Sequence, residues 1–400
     1  MIAKREGEFS VPGFLANGIH TGIKENQKKD LSLIFSQAPA KAAGVFTKNS
    51  FKAAPVLIDI ERLRAESAQA ILANSGNANA ATGSEGYKDA LDVSAALSKE
   101  LNIEEKMILM ASTGVIGQRL PVEKITRGMK KLVEGLHAGG IFDAQEAIMT
   151  TDKYPKIAIR KTIIDEKEIT LCGIAKGAGM IEPHMATMLA FFMTDLAIDG
   201  KALDSVFRRA AERSFNAISV DGCMSTNDSA IILANGMAHN KPIMSRSKDL
   251  IRFKEMLLDV MIELSQAIVR DGEGATKVIE IYVDGAASNR DAKNVSYAIA
   301  NSNLVKTAFY GNDPNWGRII SAVGSVGVPL NVDYVKLYFE DTLVFSNGKG
   351  VAVNPEIICE IMAKDHIKIR ISLGMGTKSH CICASDLSFD YVRINAHYHT

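Results

Sequence analysis

The sequence predicts a mixed α and β fold. Between residues 31 and 56, short apolar runs such as Leu-Ser-Leu-Ile-Phe and Ala-Gly-Val-Phe-Thr alternate with turn residues, the signature of antiparallel strands. Farther along, Leu250, Phe253, Leu257, Leu258, Met261 and Leu264 recur at helical spacing and mark a long helix over 247–269. The chain has 400 residues, 47% of them hydrophobic, enough to bury a large core as one big sandwich or as two lobes.

In chain order, residues 69–74 read as a strand that runs into Asn-Ser-Gly-Asn-Ala-Asn-Ala at 74–80. Three Asn around one Gly favour a tight turn held by side-chain amides, with a plain loop as the alternative. A helix follows over 87–101, with Ala90, Leu91, Val93, Ala96 and Leu97 on one face. The apolar run 107–111 leads into Ser-Thr-Gly-Val-Ile-Gly at 112–117, ahead of a helix over 121–136 and a short one over 143–148. A strand ending in a glycine turn exposes backbone N–H groups, and an adjacent hydroxyl adds a donor suited to an oxyanion; the same pattern also serves as an ordinary strand-to-helix turn. Residues 156–160 and 168–173 flank a hairpin turn. Helices over 201–215 and 355–364 and strands over 277–283, 334–340, 367–373 and 380–384 complete the second half. Asp313-Pro314 reads as a helix start beside the single tryptophan, Trp316.

Composition excludes several classes. Lys and Arg number 46, as do Asp and Glu, so nothing favours nucleic acid or an anionic membrane. No apolar run reaches the roughly 18 residues of a membrane helix. Residues 1–14 carry Lys4, Arg5, Glu6 and Glu8 without an apolar core, unlike a secretory signal, so a soluble, cytoplasmic protein is expected. The five cysteines, Cys172, Cys223, Cys359, Cys381 and Cys383, are expected to be reduced structural thiols, with Cys381 and Cys383 on one face of a strand. No metal site is expected: no zinc spacing is present, and His397 and His399, which would share a face of a terminal strand, lack a third ligand. The runs Arg-Asp-Gly-Glu-Gly-Ala-Thr-Lys at 270–277 and Gly-Ala-Gly-Met-Ile-Glu at 177–182 lack the spacing and following helix of nucleotide loops.

The stretch 176–195 carries the chemistry. Gly177, Gly179 and Pro183 break the chain before an apolar run that opens with Thr187. In a strained turn, the Thr187 hydroxyl can attack the carbonyl of Ala186, shift the acyl group from N to O and let water complete the cut. The new chain then begins with a hydroxyl nucleophile whose own α-amine, with a reference pKa of about 7.7–8.0, is the base. A buried threonine in an ordinary strand is the alternative.

The run from Lys176 to Asp195, with Met-Ala-Thr-Met-Leu at its centre, closely resembles the self-cleaving junction of the ornithine acetyltransferase, or glutamate N-acetyltransferase, family. Further family motifs follow in order from Gly-Ile-His-Thr-Gly-Ile-Lys at 18–24 to Thr400, among them Gly-Glu-Gly-Ala-Thr-Lys at 272–277 and Gly-Asn-Asp-Pro-Asn-Trp-Gly-Arg at 311–318. One departure is Cys223-Met224, where the family usually has Asp and often Thr.

The resemblance implies a multilayer α/β sandwich with two central β-sheets between helical layers, in an N-terminal-nucleophile-like arrangement. It implies cleavage between Ala186 and Thr187 into an α chain, 1–186, and a β chain, 187–400, associating as an α2β2 heterotetramer. Thr187 carries the acetyl group, and the Thr113 hydroxyl and Gly114 N–H form the oxyanion hole. Thr151 or Thr150, with Thr151 favoured, contacts substrate together with Lys176, Thr187, Glu273, Asn395 and Thr400. The implied reaction is ping-pong transfer from N2-acetyl-L-ornithine to L-glutamate in arginine biosynthesis, without a cofactor, acetyl-CoA being a co-substrate in some members. A self-processing N-terminal-nucleophile amidohydrolase or aminopeptidase would use the same Thr187, and a non-catalytic protein would leave the junction intact.

Overall fold

The computed structural model describes residues 10–182 and 188–397. Ala186, Thr187 and Thr400 lie outside the described residues, as does His399. Among the described residues the chain builds two β-sheets flanked by helices, and no helix is long and apolar enough to cross a membrane.

The chain opens with β1 (Phe14–Ile19), antiparallel to β2 (Leu31–Phe46). The several strands expected over 31–56 are one strand, whose register with the next strand slips between Phe35 and Ala40, around Pro39. A proline supplies no ladder N–H and is tolerated at such an irregularity. The remainder of that region is a helix, α1 (Ala54–Arg62), with Pro55 in its first turn, where a missing N–H costs nothing. Next come β3 (Ser67–Asn77), α2 (Gly83–Leu101), β4 (Ile108–Val115), α3 (Val122–Glu134) and α4 (Ile141–Ile148). Thr113 and Gly114 therefore lie on β4 itself, not in a turn beyond it.

The hairpin of β5 (Lys156–Ile164) and β6 (Lys167–Lys176) closes on Asp165 and Glu166, at φ 50° and 60°, the left-handed pair that matches strand twist. There follow β7 (Leu189–Thr194), α5 (Gly200–Glu212), the two-residue β8 (Ile218–Ser219), β9 (Ser229–Ala234) and α6 (Asp249–Arg270). The second sheet takes β10 (Val278–Ala286) and, after α7 (Asn289–Ala300), α8 (Asn303–Tyr310) and α9 (Trp316–Gly324), the strands β11 (Lys336–Phe339), β12 (Thr342–Ser346) and β13 (Lys349–Gly350). Then come α10 (Pro355–Met362), β14 (His366–Ser372), β15 (Lys378–Ser385) and α11 (Phe389–Ala396).

The first sheet runs β4-β3-β2-β9-β7-β6-β5, with β1 also on β2; the second runs β13-β12-β11-β14-β10-β15-β8. Every residue of β7 and β9 is buried, because both faces of the first sheet are covered: Phe191, Met193, Ile231 and Leu233 pack toward α4, and Phe192 and Ile232 toward α5 and α6. A strand covered on both faces reads as a continuous apolar run. The helical stripe of α6 lies against β5 and β6, and the same helix meets β8 and β15 of the second sheet, joining the two layers.

Two expectations are corrected, and one pair of helices was not anticipated. Helices α7 and α8, begun by the Ser288 and Ser302 side chains accepting the Asp291 and Val305 N–H groups, were not legible as helices. The C-terminal strand is the helix α11, so His397 does not lie on a strand face. Of the cysteines, only Cys172 and Cys383 are buried; Cys223, Cys359 and Cys381 are exposed thiols with no core to hold.

Candidate active site

Parallel pairing of β3 with β4 sets Asn74 against Ser112, Ser75 against Thr113 and Gly76 against Gly114. Gly114 has φ +136°, and a Cβ there would lie 2.3 Å from the Gly76 carbonyl carbon and 2.5 Å from the Asn77 nitrogen, so only glycine fits. The asparagine-rich stretch, expected as a tight turn, instead continues β3 as far as Asn77, and its side-chain amides brace the strand end. Asn74 Nδ2 donates to the Asn77 carbonyl at 2.9 Å, the Ser112 hydroxyl donates to Asn74 Oδ1 at 2.6 Å, and Asn227 Nδ2 donates to the carbonyls of Ala78 and Ser112 at 2.6 and 2.8 Å. These bonds fix the backbone beside Thr113 and Gly114.

Lys176 ends β6 fully buried, its Nζ donating to Thr113 Oγ1 at 3.3 Å. Burial lowers the pKa of this ammonium, opposed by Asp152 and reinforced by Lys156. Asp152 is the hub that holds it. Its Oδ1 accepts from Lys156 Nζ at 2.7 Å and the Gly177 N–H at 2.8 Å, and its Oδ2 accepts the Thr150 N–H at 3.0 Å. Burial would raise this carboxyl, but the Lys176 and Lys156 charges and the Gly177 N–H outweigh it and hold the pKa at about 2.

Glu273 enters from the loop after α6, its N–H donating to the Ala178 carbonyl at 2.8 Å. Its carboxylate lies against the bare Cα of Gly179, where a Cβ would sit 2.4 Å from Oε2. The same Oε2 accepts from Asn395 Nδ2 on α11 at 2.9 Å. That helix is seated by Gly274, at φ +70°, where a Cβ would meet the Tyr391 nitrogen at 2.4 Å, and by the Ser388 hydroxyl donating to the Gly274 carbonyl at 2.6 Å.

One cavity of about 120 Å³ gathers Thr113, Gly114, Thr150, Thr151, Lys176, Glu273 and Asn395, with Met180 and Asn227 also in its wall. Both threonines at 150 and 151 line it, so the choice between them is not forced by position. Trp316 does not belong to that wall; it is exposed and packs at a tilt on Phe345 of the second sheet, ring centroids 5.4 Å apart. Cys223 and Met224 are likewise absent from the cavity lining.

Sequence reasoning missed the aspartates that organise the site. On one side of 183–187, Asp221 accepts the N–H groups of Met180 and Ile181 at 2.7 and 2.8 Å. On the other, Asp228 accepts the Met188 N–H at 3.0 Å. Burial pushes the Asp228 carboxyl well up, opposed by that N–H and the Ser225 hydroxyl, with the Lys176 charge and the Thr47 hydroxyl adding less. The clue was the spacing of Asp221 and Asp228 within one loop rich in Ser, Thr and Asn. The chain ahead of the Ala186 and Thr187 junction reaches the cavity at Met180, and the loop that bonds both described ends lines it at Ser225, Thr226 and Asn227.

The family model described as "ArgJ family" matches residues 15–400. A Geobacter sulfurreducens protein, "Arginine biosynthesis bifunctional protein ArgJ", is 46% identical over 393 residues, covering 98% of this chain and 100% of that one. A protein of the same name from Caldanaerobacter subterraneus is 44% identical over 400 residues, covering 99% of each. Among solved structures, a crystal structure of arginine biosynthesis bifunctional protein argJ from Bacillus halodurans is 37% identical with a TM-score of 0.50, covering 52% of this chain and 98% of that one. The chain belongs to the ArgJ family.

Proposed function

We propose that the chain transfers the acetyl group of N2-acetyl-L-ornithine to L-glutamate by a ping-pong mechanism in arginine biosynthesis, with Thr187 as nucleophile. The observation that carries this reading is the single cavity that brings Thr113 and Gly114 together with a buried lysine and a buried glutamate, with Met180, just ahead of the 183–187 segment, in its wall.

The chemistry follows from those groups. After cleavage between Ala186 and Thr187, the α-amine of Thr187 takes the proton from its hydroxyl as the oxygen attacks the acetyl carbonyl. The Gly114 N–H and the Thr113 hydroxyl stabilise the developing oxyanion. The amine returns the proton to the departing ornithine nitrogen, leaving an acetyl ester on Thr187, and glutamate's amine reverses the sequence. Lys176 suits the α-carboxylate that both substrates share. Glu273 suits the side-chain ammonium of the donor, a charge-assisted pair. Thr150 or Thr151, Asn395 and Thr400 complete the substrate contacts in this reading.

The reading divides the chain into an α chain, 1–186, and a β chain, 187–400, in an α2β2 assembly in the cytoplasm, with no cofactor and with acetyl-CoA as a second acetyl donor. A solved relative whose full length aligns with about half of this chain supports the division.

Intact mass spectrometry of the wild type beside Thr187→Ala tests it. Two fragments from the wild type, one beginning at Thr187 and gaining one acetyl group from N2-acetylornithine, with an uncut variant, are expected. Acetate released equally with and without glutamate would make the protein a hydrolase instead.

A further inference from the structure

The donor and the acceptor of the proposed reaction differ in side-chain charge. Acetylornithine ends in a cation, glutamate in an anion, and both must meet the same Thr113 and Gly114 donors. Glu273 attracts the first and repels the second. Lys176 is engaged with Thr113 and suits the α-carboxylate common to both.

A second chamber of about 440 Å³ adjoins the first, sharing Gly114, Thr150 and Thr151 with it. Its wall includes Lys24, with Glu25, Asn26 and Gln118. Lys24 is held there by design of the backbone. The buried Asp30 carboxylate accepts the N–H groups of Thr21, Gly22, Ile23 and Lys24 at 2.7, 3.1, 2.9 and 3.2 Å, and the Thr21 hydroxyl at 2.7 Å, winding 21–24 around one charge. The Lys24 stem passes Gly76, where a Cβ would lie 3.2 Å from Lys24 Cγ. Lys24 Nζ donates to the carbonyls of Lys29 at 2.9 Å and Met149 at 2.7 Å, two of the three bonds an ammonium can make.

We propose that Lys24 sets acceptor specificity: it receives the side-chain carboxylate of glutamate in the second chamber, while Glu273 receives the side-chain ammonium of the donor in the first. This rests on the acetyl-transfer reading above. The charge balance at Lys24 fits an anion that comes and goes. Burial lowers its pKa to about 8, Asp30 and Asp152 opposing the shift and Lys176 and Lys28 adding to it; Glu25, at the chamber's exposed side, is the remaining charge there.

The two half-reactions of the cleaved wild type and Lys24→Gln test this separately. Charging by N2-acetylornithine, followed by intact mass, is expected to stay within about twofold of wild type, whereas discharge by glutamate slows by about tenfold or more, the loss of one charge-assisted hydrogen bond. Unchanged discharge, or equal loss in both half-reactions, overturns the proposal. Where the variant is uncut or does not charge, the wild type decides. Its KM for N-acetyl-L-glutamate in the reverse direction, a ligand with no amine to titrate, should rise by about tenfold relative to that for N2-acetylornithine between about pH 7 and about pH 9 as Lys24 loses its charge. A ratio of the two KM values that does not rise overturns the role of Lys24. A wild type that never gains an acetyl group overturns the acetyl-transfer reading itself.

Discussion

Lys156 Nζ lies 2.6 Å from Asp271 Oδ2, and both side chains are fully buried. The lysine also holds Asp152 at 2.7 Å, so one ammonium bridges two carboxylates drawn from opposite sides of the proposed cut. Lys156→Met removes the charge and leaves both acids buried. A loss of about 3–5 kcal/mol is expected for breaking such a cluster by one partner. Urea unfolding of the variant checks it, and a midpoint within error of wild type would show that the acids are independently solvated.

Thr113→Ala deletes one oxyanion donor and leaves the Gly114 N–H in place. Removal of one such donor costs about 2.7–4 kcal/mol, or roughly a hundred- to a thousandfold in kcat. Gly114→Ala should be worse, since its Cβ would overlap the Gly76 backbone at 2.3 Å and its φ is unfavourable for any other residue. Steady-state rates of the two variants, with Tm as the control for folding, distinguish lost chemistry from lost structure.

Gly179→Ala pushes on the Glu273 carboxylate, 2.4 Å from the added carbon, without removing its charge. The expected result is a raised KM for the cationic donor. Glu273→Gln should weaken donor binding further, by about 1.5–3 kcal/mol for a charged hydrogen bond. Donor titrations of both variants report this; equal weakening for an anionic ligand would disconnect Glu273 from charge recognition.

Asp152 carries a depressed pKa, about 2 against an ordinary value near 4. A carboxyl depressed in the folded state contributes stability above its unfolded pKa and loses it as pH falls through the folded value. Stability should therefore fall between about pH 4 and about pH 2 more steeply in the wild type than in Asp152→Asn. Chemical denaturation across that range measures the difference in slope.

How much of this was legible depends on how local each signal is. The α6 stripe and the β5 to β6 hairpin repeat within a few residues, so periodicity exposes them. The run leading into α1 is apolar enough to pass for a strand, and only Pro55 marks the helix start. The grouping of Thr113, Lys176 and Glu273 followed from family resemblance, since no spacing rule connects residues so far apart in sequence. Lys24, Asp221 and Asp228 were missed for the same reason in reverse: each looks like an ordinary loop charge until the fold brings Lys24 to the second chamber and sets the two aspartates against the chain on either side of 183–187.

The first sheet has a consequence for the life of the cut protein. Strands β7 and β9, both beyond residue 187, are laced between β2 and β6, which precede it, through ladders of six residue pairs on each side. Scission at the junction would thus release no fragment. Each half would be the missing middle or the missing flanks of the other, so the pieces could part only by unravelling the sheet's interior. Fragment exchange between cut molecules should be as slow as global unfolding, and the nick, for all its chemical violence, mechanically silent.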